Sequence, residues 1–395
     1  MTIEVDLKMV RKIMGDFAAA TGLLPPGPEP RRYLWTDAFA VANFIELYRQ
    51  TGEEEYRDLA LRLVAQVHLV LGRHRPDDAR GGWLSGLSEE EGGRHPTLGG
   101  LRIGKPLPER GPNEPVDQQL EWERDGQYYH YLVKWLRALL LVGRVTSEPR
   151  YCTWGRELAR TMHARFLRPA YPGGPTGIAW KMSLDLTRPL VAGMGQHDAL
   201  DGWLAYLALQ SGLGTPDLDR EIGELAALCR HGHWGTDDPL GLGGLLDDAW
   251  QTGQLIARGG AGLDQLLPTL LAEVLPGLAA YARGPDRRRH AAYRLAFREL
   301  GLSIGLQAAA RLADLFGREP ARFAAADRLR GLLAQVLEYQ PLGDAIVRFW
   351  LDPENQAGGS WQEHREINRV MLATSLAPGA FLGEWAAKDR QGSRL

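Results

Sequence analysis

The sequence predicts an all-α protein of about six helical hairpins closed into a ring. Apolar residues recur at helical spacing through most of the chain, and the helices fall into pairs separated by Gly- or Pro-marked breaks. No stretch shows sustained period-two alternation, which argues against an extensive sheet. The intervals between pairs are too irregular for a tetratricopeptide or HEAT array, whose repeats are short and near constant, so a ring with variable loops fits better. At 395 residues the chain is long enough to be read as one such domain spanning 1–395.

Val5, Met9, Ile13 and Phe17 mark a first helix over 4–20. Pro25, Pro26, Pro28 and Pro30 forbid helix and make a stiff connector over 25–30. Structure resumes at Trp35-Thr-Asp37, where Thr36 or Asp37 can cap a helix with the stripe Val41, Phe44, Ile45 and Tyr48, and Thr51-Gly52 supplies a stop. Its partner, 53–71, lines up Leu59, Leu63 and Val67. Further pairs are 125–145 with 148–167, 196–211 with 217–229, 245–257 with 263–281, and 290–316 with 320–337. A helix over 361–376 starts a sixth pair that the first helix completes, and 386–395 reads as a frayed tail. Two connections, 72–120 and 168–195, are long for a compact domain. Their aromatic and charged residues favour a functional role over simple disorder.

Composition excludes several classes. A net charge of −3 offers no global attraction to nucleic acid or anionic lipid, and Arg287-Arg288-Arg289 reads as a solvated loop. No apolar run approaches the roughly 18 residues of a membrane span, and the start lacks a basic-then-apolar leader, so a cytoplasmic location is expected. Cys152 and Cys229 stand apart and outside any CxxC pattern. Gly99-Gly-Leu-Arg-Ile-Gly104-Lys105 lacks both a preceding strand and Walker spacing, and no HxxxH or HExxH occurs, so neither nucleotide, metal nor other cofactor is expected.

The stretch from Glu121 to Trp135 concentrates acids, aromatics and His130, and Tyr129 lies within it. A similar vocabulary stands at all six first-helix starts, this one included: Trp35 and Asp37; Trp122, Asp125 and His130; His197, Asp198, Asp201 and Trp203; Asp247, Asp248 and Trp250; His290 and Tyr293; and Trp361, Glu363 and His364. Capping explains one Asp per start but not the Trp and His. An inner ring of parallel helices with such residues at one rim resembles the (α/α)6 toroid of the six-hairpin glycosidases. That superfamily also includes sugar 2-epimerases of the N-acylglucosamine type and unsaturated uronyl hydrolases. The hairpin from Trp35-Thr-Asp37 through Thr51-Gly-Glu-Glu-Glu-Tyr56-Arg-Asp-Leu-Ala60 is similar to one that recurs in those proteins.

Trp and Tyr faces stack on pyranose rings while carboxylates take the hydroxyls, so the rim suits a small sugar or glycoside. Glycosidic cleavage needs two carboxyl groups, and Asp125 with Asp198 are the candidates, each near a His at a helix start. Asp125 and His130 share a pocket only if Asp125 caps the helix. Trp35, Asp37, Trp122, Tyr129, Asp248, Trp250, Trp361, Glu363 and His364 are candidate substrate contacts. Lys181 and Arg188 are candidates for binding a substrate anion or for pairing with Asp185. Three alternatives stand beside hydrolysis. His130 with His197 or His364 forms the acid/base pair of a sugar epimerase. Leu245-Leu-Asp247-Asp248 resembles the acid motif of class II terpene cyclases, with Leu245 where their first Asp stands. A non-catalytic helical scaffold would instead expose patches along an open face.

Overall fold

A computed structural model describes residues 7–169, 176–191, 193–213, 217–230, 232–260 and 262–383; the expected tail at 386–395 and the first residues of the expected first helix lie outside these. The described chain forms two compact units. One is drawn from Val5–Trp234 with His364–Thr374, the other from Gly235–Glu363 with the residues from Ser375 onward.

In the first unit the long helices before residue 235 are α1 (Leu7–Ala20), α2 (Leu34–Thr51), α3 (Glu54–Leu71), α4 (Tyr129–Thr146), α5 (Pro149–Phe166), α6 (Asp198–Leu213) and α7 (Asp219–Cys229). Helices α2, α4 and α6 pack side by side, backed by α3, α5 and α7 respectively. Burial explains the arrangement. Every residue of α2 from Leu34 to Leu47 is buried, as an inner helix requires, whereas α3 buries a stripe of Leu59, Leu63, Val64, Val67 and Leu71 and keeps a polar outer face. Gly52 ends α2 at φ 72°, a left-handed conformation that glycine adopts without steric cost, and its N–H donates to the Tyr48 carbonyl. Inside the unit, Asn43 on α2 donates to the Val370 carbonyl at 3.0 Å and accepts from the Thr374 hydroxyl at 2.8 Å, tying α2 to the helix Arg365–Leu376.

The expected helix start at 125 is corrected by strand pairing. Residues Gln127–Tyr128 (β1) are extended, and α4 begins at Tyr129. The partners are short strands in the second long connection. After β2 (Leu167–Pro169), which pairs with β3 (Thr176–Ile178), come β4 (Lys181–Met182) and β5 (Pro189–Val191). Gln127 lies opposite Met182 and Tyr128 opposite Lys181, both antiparallel, and β5 continues the sheet beyond β4.

In the second unit the long helices are α8 (Pro239–Ala257), α9 (Leu266–Arg283), α10 (Ala296–Arg318), α11 (Ala326–Leu337) and α12 (Gln340–Leu351). Helix α8 starts six residues before the expected 245, because Asp238 caps it by accepting the Gly241 N–H at 3.1 Å and Pro239 suits the first turn. Helix α12 was not expected. Its stripe of Leu342, Ile346, Val347 and Trp350 is buried. Helix α10 begins at Ala296 rather than 290, because His290 caps a 3-10 turn at Ala291–Tyr293. A buried Arg294 follows, bridging to Glu299 at 2.7 and 2.9 Å and lying 3.7 Å from the Phe349 ring centroid. Glu299 also accepts from Trp350 Nε1 at 2.7 Å.

Glycines let α8 and α10 approach closely. A Cβ on Gly243 would lie 2.1 Å from the Gly301 carbonyl oxygen, and one on Gly305 would lie 2.5 Å from Gly243 Cα. Gly243→Ala is therefore expected to lower unfolding stability by about 1–3 kcal/mol, outweighing a helix-propensity gain of roughly 1 kcal/mol. Gly244, where a Cβ would meet nothing within 4 Å, is the control: Gly244→Ala is expected to hold or raise stability in the same urea titration. Among the described residues no helix is long and apolar enough to cross a membrane.

Candidate active site

The switch from β1 to α4 splays four consecutive rings. Tyr129 turns into the core of the first unit against Phe166, while Tyr128, His130 and Tyr131 gather together with centroids 4.8 to 5.3 Å apart. Trp180, held at the edge of β4, stacks on His130 at 6.0 Å and 17° and lies 5.5 Å from Tyr128. Trp122 meets Trp180 edge-on at 5.0 Å and is 51% exposed. At the other end the hydroxyls of Tyr131 and Tyr33 hydrogen-bond at 2.7 Å, and Trp35 lies 6.3 Å from Tyr131. The result is one row of rings with an exposed indole at its end.

Polar groups from two inner helices meet beside this row. His130 and Lys134 lie one turn apart on α4, and Asp198 and Asp201 one turn apart on the neighbouring α6, so each pair shares a helix face. His130 Nδ1 is 4.0 Å from Asp198 Oδ1 and among the described residues has no hydrogen-bond partner, while Lys134 pairs with Asp201 at 3.3 Å. Burial pushes the Asp198 carboxyl up to about 7, with Asp201 adding to the rise and the Gly195 N–H, which donates to Oδ2 at 2.9 Å, and Lys134 opposing it. Burial also pulls His130 down to about 4, so its imidazole is neutral near pH 7. The contact therefore joins a neutral imidazole to a carboxyl that exchanges its proton near neutrality.

Asp125 has a different setting from the helix cap expected of it. No side chain caps α4, and the Asp125 carboxylate is fully buried, accepting from Arg102 at 2.9 Å and from the Gly104 and Gly126 N–H groups at 3.0 and 3.1 Å. The condition for its sharing a pocket with His130 is not met. Asp37 is likewise no cap by its side chain alone. It lies in the first turn of α2, accepts the Tyr33 N–H at 2.9 Å and sits 3.4 Å from the buried Arg32. Burial raises it to about 6 against the pull of Arg32 and that N–H.

Neither expected anion-binding residue of the 168–195 connection pairs with Asp185. Lys181 is fully buried and donates to Glu121 Oε1 at 2.9 Å and to the Glu121 and Arg124 carbonyls, with Arg110 on the other Glu121 oxygen at 2.9 Å. All three ammonium hydrogens of Lys181 thus have acceptors within the protein. Arg188 donates to the Arg110 carbonyl, and Asp185 instead accepts from Ser183 and Thr187. His197 Nε2 lies 2.9 Å from the Trp234 carbonyl, which fixes the tautomer with its proton on Nε2. His364 is half-buried within the first unit.

The remaining candidates belong to the second unit. Asp248 and Trp250 are buried on α8, with Trp250 Nε1 donating to the Leu382 carbonyl at 3.0 Å. Trp361 stacks on Trp350 at 5.7 Å, and Glu363 is exposed. The geometry of the first unit therefore brings together Trp35, Trp122, His130 and Asp198, and adds Tyr33, Tyr131, Lys134, Trp180 and Asp201. The four-residue spacing of His130 and Lys134 is a legible signal for one of these. Among the described residues no group of three or more His, Cys, Asp or Glu side chains is placed to hold a metal ion.

No protein-family model matches the chain, and no curated protein sequence does. Solved structures do match. The chain is similar to the GH76A α-1,6-mannanase from Salegentibacter sp. HEL1_6, with a TM-score of 0.53 at 11% identity over 95% of this chain and 99% of that one. It is similar to an inactive double variant of that enzyme, changed at two adjacent aspartates and in complex with α-1,6-mannotetrose (TM-score 0.53, 12% identity, 96% and 100% covered). A sugar epimerase from a ruminal bacterium matches with a TM-score of 0.50 at 10% identity over 94% of this chain and 99% of that one. The fold is the (α/α)6 toroid. Within the toroid the ring row and its two carboxyl groups lie at the N-terminal ends of α4 and α6, one rim of consecutive inner helices.

Proposed function

We propose that the chain is a carbohydrate-active enzyme that hydrolyses a glycosidic bond, with Asp198 as general acid. The observation that carries this reading is the contrast between two carboxyl groups one turn apart. Asp198 is buried and titrates at about 7, whereas Asp201 faces the Lys134 ammonium at 3.3 Å. A carboxyl that keeps its proton near neutrality, one turn from a second carboxyl, is the pairing that acid/base cleavage of an acetal uses. In this scheme Asp198 gives its proton to the glycosidic oxygen as the bond to the anomeric carbon breaks. Water adds to that carbon and its proton passes to Asp201. Trp122 and Trp180 offer ring faces on which the apolar face of a sugar stacks. Asp125, saturated by its Arg and N–H donors, takes a supporting role in place of the catalytic one first expected.

The toroid fold shared with a mannanase and a sugar epimerase supports the substrate class, and the mannotetrose bound by one neighbour makes α-1,6-linked manno-oligosaccharides the first compounds to try. Product analysis by NMR tests the proposal. New reducing ends mark hydrolysis, and their absence across an oligosaccharide panel would sink it. The pH profile gives a second check. Because the Asp198 carboxyl is protonated below about 7, kcat/KM is expected to fall tenfold per pH unit above that value, through loss of the acid form.

A second reading, epimerisation, is favoured by one observation. Among the described residues His130 Nδ1 has no hydrogen-bond partner, and the imidazole is neutral near pH 7, so it carries a lone pair that can accept a proton. His197 or His364 would return it. Inverted C2 configuration without new reducing ends, abolished by His130→Ala, would replace hydrolysis with this reading.

A further inference from the structure

Lys105 stands at the Tyr33 end of the ring row, its ammonium 5.5 Å from the Tyr33 ring centroid. Its backbone is fixed on both sides. The Gly104 N–H donates to Asp125 Oδ1 at 3.0 Å, and Arg75 donates to the Lys105 and Pro106 carbonyls at 2.7 and 2.8 Å. Gly104 itself has φ 93°, and a Cβ there would lie 2.2 Å from the Arg32 carbonyl oxygen, so only glycine lets the segment pass. Buried Asp125 and Arg102, with half-buried Arg75, thus position this one residue.

The Lys105 side chain contrasts with its backbone. Among the described residues no carboxylate oxygen lies within ion-pairing distance of it, whereas Lys134 is paired with Asp201 and Lys181 with Glu121. Asp125 is committed to Arg102 and to backbone donors, and Glu123 is exposed and acts on Lys105 only at longer range. Burial lowers the Lys105 pKa, with Glu123 and Asp125 opposing the fall. A half-buried ammonium without a counter-ion gains most from an arriving anion.

From this geometry we infer that Lys105 is the anion-recognising residue of the site, and that the sugar bound along the ring row carries a carboxylate or phosphate group. The inference rests on the sugar reading of that row and names its substrate class. The test is calorimetric titration of the full chain with matched ligands: glucose, glucuronic acid and glucose 6-phosphate, and the corresponding mannose series. One anionic member is expected to bind at least tenfold more tightly than its neutral parent, and which member does so separates carboxylate from phosphate. Lys105→Met should remove that preference, while Lys105→Arg should keep most of it. Equal affinity for neutral and anionic sugars, a preference that survives in K105M, or no binding of either anionic series would overturn the assignment. Turnover is not read, so hydrolysis can fail without moving this result. Tight binding of neutral sugars alone would overturn the role of Lys105 and leave the sugar reading standing.

Discussion

Asp198→Asn is expected to lower kcat on a hydrolysed glycoside by about 10²–10⁴-fold while leaving the fold intact, the range for removal of a positioned general acid. The amide matches the carboxyl in shape, and its oxygen can still accept the Gly195 N–H. It is also neutral, as the buried carboxyl is below about pH 7, so the substitution adds no buried charge. The variant should melt with the wild type and lose the alkaline limb of the pH profile. Retained activity with an unchanged limb would assign the acid elsewhere and remove Asp198 from the mechanism.

Asp125→Ala is expected to cost about 3–5 kcal/mol of stability, the usual result of stranding one partner of a buried ion pair. Arg102 is buried, keeps its bonds to the Arg73 and Val70 carbonyls, and would lose its carboxylate; the Gly104 N–H would lose its acceptor. Denaturant titration measures the loss. Asp125→Asn separates support from chemistry, since the amide oxygen can still accept the Gly104 N–H. A fully folded D125N that loses activity as completely as D198N would restore Asp125 to the catalytic pair.

The helices were legible because they obey a local rule. Spacing alone found the pairs around α2 and α3, α4 and α5, and α6 and α7, and the glycine at position 52 marked its stop. Helix α12 escaped because its twelve residues follow α11 so closely that no Gly or Pro break separates two stripes until Pro341. The site was legible in vocabulary and not in geometry. Residues 125–128 read as a helix start because nothing nearby in sequence reveals the pairing of Gln127 and Tyr128 with residues 181–182. Asp125 reads as a cap because Arg102 lies in another loop. Lys181 reads as a ligand-binding cation because its partner Glu121 comes from a segment sixty residues away.

The ring row also has an optical consequence. The chain has twelve tryptophans, and of those in the described residues only Trp122 falls among the exposed large side chains, at 51%. Acrylamide in solution should reach that indole far more readily than Trp135, Trp250 or Trp350, which are fully buried. A molecule lying across Trp122 and Trp180 would shield it, so the quenchable fraction of the intrinsic emission would drop as the row fills. The protein therefore carries its own occupancy gauge, readable without label or turnover, and Trp122→Phe is the blank that calibrates it.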